Sequence, residues 1–196
     1  MAYQTKPLAC DPTRLAGLSE KLIVSHYENN YGGAVKRLNA ITAELAALDV
    51  ATAPVFVLNG LKREELIATN SMILHEVYFD SLGDGGPLES GLKDVIERDF
   101  GAVGRWQAEF TAMGKALGGG SGWVLLTYSP RDGRLVNLWA SDHAHTLAGG
   151  TPILALDMYE HSYHMDYGAK AAAYVDAFMR NVHWAHVAER LAAVQR

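Results

Sequence analysis

Leu15, Leu18, Leu22, Ile23 and His26 recur at spacings of three and four, which places them on one face of a helix. Asp11 followed by Pro12 supplies an N-cap and an N1 proline for that helix, and Gly32-Gly33 is expected to end it. Leu38, Ile41 and Leu45 mark a second stripe, so the segments on either side of the glycine pair are predicted to form an antiparallel helical hairpin. A longer helix is predicted over residues 62–80 from Leu66, Ile67, Asn70, Ile73, Leu74 and Val77, with His75 beside that stripe. Gly83-Asp84-Gly85-Gly86-Pro87 then breaks the pattern and marks the expected boundary between two lobes, residues 1–83 and 87–196.

Beyond the boundary the pattern is mixed. Phe100 to Leu117 reads as helix, and two apolar runs, Trp123 to Tyr128 and Leu135 to Trp139, flank the hairpin signal Pro130-Arg-Asp-Gly. Pro152 to Leu156 reads as a third strand, and Val175, Phe178, Met179 and Val182 share one face of a helical ending over 174–195. The prediction is an α+β chain: an N-terminal helical-hairpin lobe, then a C-terminal lobe with a small three-stranded antiparallel sheet packed by helices.

Composition narrows the function classes. With 49% hydrophobic and 20% charged residues the chain reads as globular, and 196 residues suffice to bury a core without disulfides. A net charge of −5 with scattered Lys and Arg gives no nucleic-acid footprint, so none is expected as a partner. The single cysteine, Cys10, cannot form an internal disulfide and suits a reducing compartment. No secretory leader is visible, and no apolar run reaches the about 20 residues a bilayer requires. A cytoplasmic location and no membrane association are the expectations.

Eight histidines are present. His26 and His75, each taken alone, read equally as core residues on helices. Leu156-Asp-Met-Tyr-Glu-His-Ser-Tyr is more informative, because an apolar strand runs directly into a carboxylate followed four residues later by His161. A helix N-cap would account for Asp157. It would not account for Glu160 and His161 among aromatic residues in so apolar a segment, where unpaired charge is costly and a buried cation would offset the cost.

Asp157-Met-Tyr-Glu160-His161-Ser-Tyr resembles the D-x-[WY]-E-H-x-[YH] motif of the iron/manganese superoxide dismutases. Three further segments match that family in order: Ser25-His26, His75-Glu-Val-Tyr-Phe-Asp-Ser-Leu, and Gly120-Ser-Gly-Trp-Val-Leu-Leu; Asn181-Val-His-Trp184 echoes its C-terminal Asn-x-x-Trp. The resemblance implies that His26, His75, Asp157 and His161 hold one iron or manganese ion per subunit, between the lobes, and that superoxide is disproportionated to oxygen and hydrogen peroxide. Three imidazoles and a carboxylate suit either metal and leave room for a small anion. The resemblance also implies a homodimer, or a tetramer of two such dimers, in which Glu160 of one subunit supports His161 of the other; a surface carboxylate at a helix start is the plainer alternative.

The chain departs from the family pattern at several positions. Asn30 and Ala34 stand where the family has a histidine and a gateway tyrosine, with Tyr27 and Tyr31 as possible substitutes for the lost hydroxyl. His164 stands where a tyrosine usually pairs across the dimer, and an Asn30–His164 pair is a compensating arrangement. In place of the solvent-holding glutamine the chain has Ser71 at the iron-type position and His143 at the manganese-type position. His143 is expected to hydrogen-bond the ion's solvent ligand, the alternative being a polar surface loop; His145, His183 and His186 are expected to be structural or exposed. A catalytically altered metal-binding protein of the same fold and another non-haem metal oxidoreductase remain alternatives to dismutation.

Overall fold

The structure is a computed structural model that describes residues 2–195. Asp11 does act as a cap, its Oδ1 accepting from Thr13 N at 2.9 Å, but only of a single 3-10 turn at Pro12–Arg14. The helix proper starts at Glu20, where Ser19 Oγ accepts from Leu22 N at 3.1 Å. Helix α1 (Glu20–Ser25) runs through a π-helical turn (His26–Tyr31) into α2 (Gly32–Ala47) without leaving the right-handed helical region.

The glycine pair therefore does not end the helix, contrary to the sequence pattern. A helical glycine costs about 1 kcal/mol relative to alanine. Burial of Tyr31, Ala34, Val35 and Leu38 on either side of the pair offsets that cost. The hairpin's second arm is accordingly α3 (Val55–Asp80), which packs on α2 and is about 39 Å long at 1.5 Å per residue. Its inner end buries Met72, Leu74, His75, Tyr78 and Phe79, while Val55 and Phe56 at the outer end are exposed.

The helix predicted over 100–117 forms, slightly shorter, and a second helix precedes it. Helix α4 (Ser90–Phe100), absent from the sequence reading, buries Leu92 and Ile96. Gly101, at φ +86°, turns the chain into α5 (Val103–Ala116). The three predicted strands form as β1 (Trp123–Ser129), β2 (Arg134–Ala140) and β3 (Thr151–Asp157), in an antiparallel sheet of order β2-β1-β3. Both Ala140 and Asp157 lie opposite Trp123 in the register, so the end of β3 faces the start of β1. Gly122 permits the close pairing on the β2 side: at φ +129°, a Cβ there would stand 2.1 Å from Ala140 O.

A short helix α6 (His164–Tyr167) leads to α7 (Ala171–Arg180) and α8 (Trp184–Val194), so the helical ending is two helices rather than one. The break has a structural use. Leu82 bridges Val182, Gly83 N donates to Asn181 O at 2.8 Å, and His183 N donates to Ser81 O at 2.7 Å, tying the end of α3 to the α7–α8 joint. The fold is α+β, with its helical N-terminal part against a sheet flanked by helices. Among the described residues no helix is long and apolar enough to cross a membrane.

Candidate metal centre

Four side chains from four elements meet where α3 and the π-helical turn face the end of β3 and the turn that follows it. His26 opens the π turn, a helix form that recurs at functional sites. His75 lies on the buried inner end of α3, Asp157 ends β3, and His161 follows in the turn after it. One potential ligand atom from each lies within 4.8 Å of the others. Asp157 Oδ2 is the hub, 3.1 Å from His26 Nε2, 3.2 Å from His161 Nε2 and 3.6 Å from His75 Nε2.

The cluster is short of hydrogen bonds. Nε2 of His26 and of His75, and Nδ1 of His26, are buried yet make none among the described residues; His26 Nε2 approaches Asp157 outside the hydrogen-bonding direction. Buried polar atoms are normally satisfied, so the two orphan Nε2 atoms facing one carboxylate mark a place for a cation. His75 is aimed by its other nitrogen: Nδ1 donates to Ser71 O at 2.6 Å, leaving Nε2 as the free acceptor. The N-cap reading of Asp157 is not borne out, because the 3-10 turn Glu160–Ser162 that follows is capped at Tyr159 with no side-chain bond. Oδ1 does accept from Tyr159 N at 2.8 Å, while Oδ2 serves the histidines.

Charge is arranged to match. Burial alone would raise the Asp157 carboxyl, but the His161 and His26 imidazoles more than reverse this and hold it well below the usual carboxylate range. Burial pushes the His75 imidazole down to about 3, reinforced by His26, and lowers His26 as well. Two neutral imidazoles and an ionised carboxylate are the protonation states a metal ion requires.

His143 is not on a bare surface loop. Trp123 Nε1 donates to its Nδ1 at 3.0 Å, its carbonyl accepts from Asn70 Nδ2 at 2.6 Å, and its ring stacks on Tyr159 at 4.8 Å and 13°. An indole N–H can only donate, so Nδ1 is the acceptor and the neutral ring carries its proton on Nε2. Burial lowers the His143 pKa and keeps that neutral form. The ring centre is 6.1 Å from that of His75.

Tyr27 and Tyr31 do not replace the missing gateway hydroxyl. Tyr27 Oη donates to Lys6 O at 2.7 Å and Tyr31 Oη to Glu76 Oε1 at 3.1 Å, both turned toward the N-terminal segment. What takes that side of the site is a cleft of about 220 Å³ lined by Asn30, Ala34, Arg37, Ser71 and His143 among others. Glu160 and His164 are exposed in the single chain, so the buried setting expected for Glu160 is not supplied by its own subunit. His161 keeps 27% of its side chain exposed, unlike the other three cluster residues. His145 lies exposed beside Ser141 and Asp142, and His183 and His186 sit at the α7–α8 joint, as expected of structural or exposed residues.

Sequence reasoning missed Trp123 as the partner of His143, and Tyr174, whose hydroxyl donates to Asp157 O at 2.8 Å. The available signal was the rule that a buried Trp or Tyr places its polar atom on a partner.

Fold and cluster together define a mononuclear metalloprotein of the α+β class. Residues 88–190 match the family described as iron/manganese superoxide dismutases, C-terminal domain. The chain is 84% identical to a superoxide dismutase [Fe] of Cupriavidus metallidurans over 196 residues, all of both chains. It is 35% identical to a superoxide dismutase [Fe] of Aquifex aeolicus over 91% of this chain and 86% of that one. It is also 35% identical to superoxide dismutase [Mn] 1 of Halobacterium salinarum, over 96% and 94% of the two chains. The chain belongs to the iron/manganese superoxide dismutase family.

Proposed function

We propose that this chain is a superoxide dismutase whose single iron or manganese ion per subunit is held by His26, His75, Asp157 and His161. The observation that carries the reading is the convergence of three histidine Nε2 atoms on Asp157 Oδ2 in a buried site with unsatisfied nitrogens. A bound iron or manganese ion supplies the one-electron redox chemistry that turns two superoxide ions and two protons into dioxygen and hydrogen peroxide.

The side chains do the rest. Asp157 offsets part of the ion's charge, and neutral His26 and His75 add none, so the site stays attractive to a small anion. His143, with its proton on Nε2 and its ring 6.1 Å from that of His75, would offer that proton to solvent at the ion, the part the family resemblance gives to a glutamine amide. Ser71 and His143 line the cleft. Its volume, about 220 Å³, is below the about 300 Å³ at which pockets for organic ligands begin.

The proposal extends to assembly and location. The lobes are residues 1–83 and 87–196 with the ion between them, and the protein works as a homodimer, or as a tetramer of two dimers. Glu160 hydrogen-bonds His161 of the partner subunit, and Asn30 pairs with the partner's His164. The exposure of Glu160 and His164 and the partial exposure of His161 support that arrangement. A single half-buried cysteine supports a cytoplasmic setting. The test is steady-state superoxide disproportionation by protein loaded separately with iron and with manganese; inactivity in both forms would favour the catalytically altered alternative.

A further inference from the structure

The N-terminal segment is a strap over the helical hairpin. Tyr3 N donates to Asn39 Oδ1 at 2.8 Å, Asn39 Nδ2 donates back to Tyr3 O at 3.0 Å, and Tyr27 Oη donates to Lys6 O. One further tie ends on a buried ring: Lys6 N donates to Tyr31 Oη at 2.8 Å. That hydroxyl donates onward to Glu76, the residue after His75, and the Lys6 ammonium pairs with the same carboxylate. Strap, π turn and α3 are thus closed into a ring of polar contacts around one phenol.

Tyr31 is only 1% exposed, and its ring lies 6.4 Å from the His75 ring at an interplanar angle of 26°. Phe79 completes the same wall, 6.1 Å from Tyr31 and 6.2 Å from His75. The Ser71 carbonyl fixes one edge of the His75 imidazole and Trp123 meets it at 89°. The Tyr31–Phe79 wall bears on the face of the imidazole, as does the His161 ring stacked 5.9 Å away at 21°, so the wall is one of the contacts that set its tilt. Beneath the strap is a hollow of about 270 Å³ bordered by Lys6, Tyr27, Tyr31, Glu76 and Phe79. An untethered Tyr31 ring has somewhere to go.

We propose that Tyr31 is a positioning residue for His75, clasped by the Lys6 backbone and Glu76 so that the N-terminal strap helps to hold the metal site in shape. The inference rests on His75 being a ligand. It assigns a site role to an N-terminal segment that the proposed function leaves unused. It also explains why the Tyr31 hydroxyl points away from the substrate cleft: its task is to anchor a ring. Binding constellations need support to within about 0.5 Å, and loss of such support typically lowers metal affinity about 10- to 100-fold.

The experiment uses full-length manganese-loaded protein. Tyr31→Phe keeps the ring and removes the clasp. It should release manganese to excess chelator about tenfold faster than the parent and change the zero-field splitting of the manganese electron paramagnetic resonance spectrum, with far-ultraviolet circular dichroism unchanged. Lys6→Pro, which deletes the donated N–H at an exposed position, should move both readouts the same way. Lys6→Met, which removes only the ammonium, should move them less. Tyr27→Phe cuts a strap tie of the same kind from a ring that packs on Tyr31 and Phe79 rather than His75, and should leave the spectrum at the parent's. Parent-like release and spectrum in Tyr31→Phe would overturn the proposal, as would an equal change in Tyr27→Phe. Full manganese occupancy in His75→Ala would instead overturn the ligand reading, whatever Tyr31→Phe shows.

Discussion

Replacing His143 tests the solvent-partner role most directly, because the structure separates its two functions by atom. Nδ1 satisfies the buried Trp123 Nε1–H, and Nε2 carries the proton assigned to the site. His143→Ala leaves the indole N–H unpaired, which costs about 1–3 kcal/mol. It also removes a ring stacked on Tyr159 at 13°, worth a further about 0.5–1.5 kcal/mol. A total of about 3 kcal/mol corresponds to a fall in melting temperature of about 6–12 °C for a chain of this size. His143→Gln restores an oxygen for Trp123 and an N–H for the solvent, so it should melt within about 1 kcal/mol of the parent. Activity should follow a different pattern. His143→Ala should lose activity more than metal. His143→Gln should keep the metal and shift the reduction potential or the pH profile, since an amide does not titrate where an imidazole does. The assay is thermal melting at matched protein concentration, then activity and redox titration from about pH 5 to 9, a range that extends below the ordinary histidine value because burial lowers the His143 pKa. An alanine variant that melts with the parent and overlays its pH curve would refute the placement of His143 beside the site.

Three further outcomes follow from the same geometry. His75→Ala or His161→Ala should each abolish stoichiometric metal binding, measured by elemental analysis after loading and gel filtration. Chelator-stripped protein should lose stability as pH falls from about 6.5, the ordinary histidine value, toward the depressed value of His75. The sign follows from His75 and His26 taking up protons in the unfolded chain before the folded one, so melting temperatures at pH 4.5 should lie below those at pH 7.5. Glu160→Ala should shift the sedimentation profile toward monomer and weaken metal retention; an unchanged dimer would remove the bridge to the partner's His161.

Much of this architecture is legible in the sequence where a local rule and a distant requirement agree. Pro130-Arg-Asp-Gly separates two apolar runs and does form the β1–β2 turn, and Asp157 and His161 lie four apart after a strand, as the motif implied. The misreadings occur where tertiary packing overrides a local preference. Gly32-Gly33 resembles a stop, but a π turn and burial on both sides carry the helix through it. Leu92 and Ile96 carry a helical spacing, but on an 11-residue helix that buries only those two side chains the apolar stripe is too short to stand out locally. Trp123, Tyr31 and Tyr174 could not be placed from spacing, since their polar atoms meet partners 20, 25 and 17 residues away.

Two of the four clustered side chains lie in the first 75 residues and two beyond residue 156, with no covalent link between these stretches. In a chain whose one cysteine can form no internal bridge, an ion held by all four is a removable cross-link joining residue 26 to residue 161. Closing a loop of roughly 100 residues restricts an unfolded chain by several kcal/mol in the entropic account of disulfides, and the cost rises only with the logarithm of loop length. Lengthening the chain between the two pairs, at the exposed β1–β2 turn for example, should therefore barely change how firmly such a clasp fastens, whereas losing either pair unfastens it altogether.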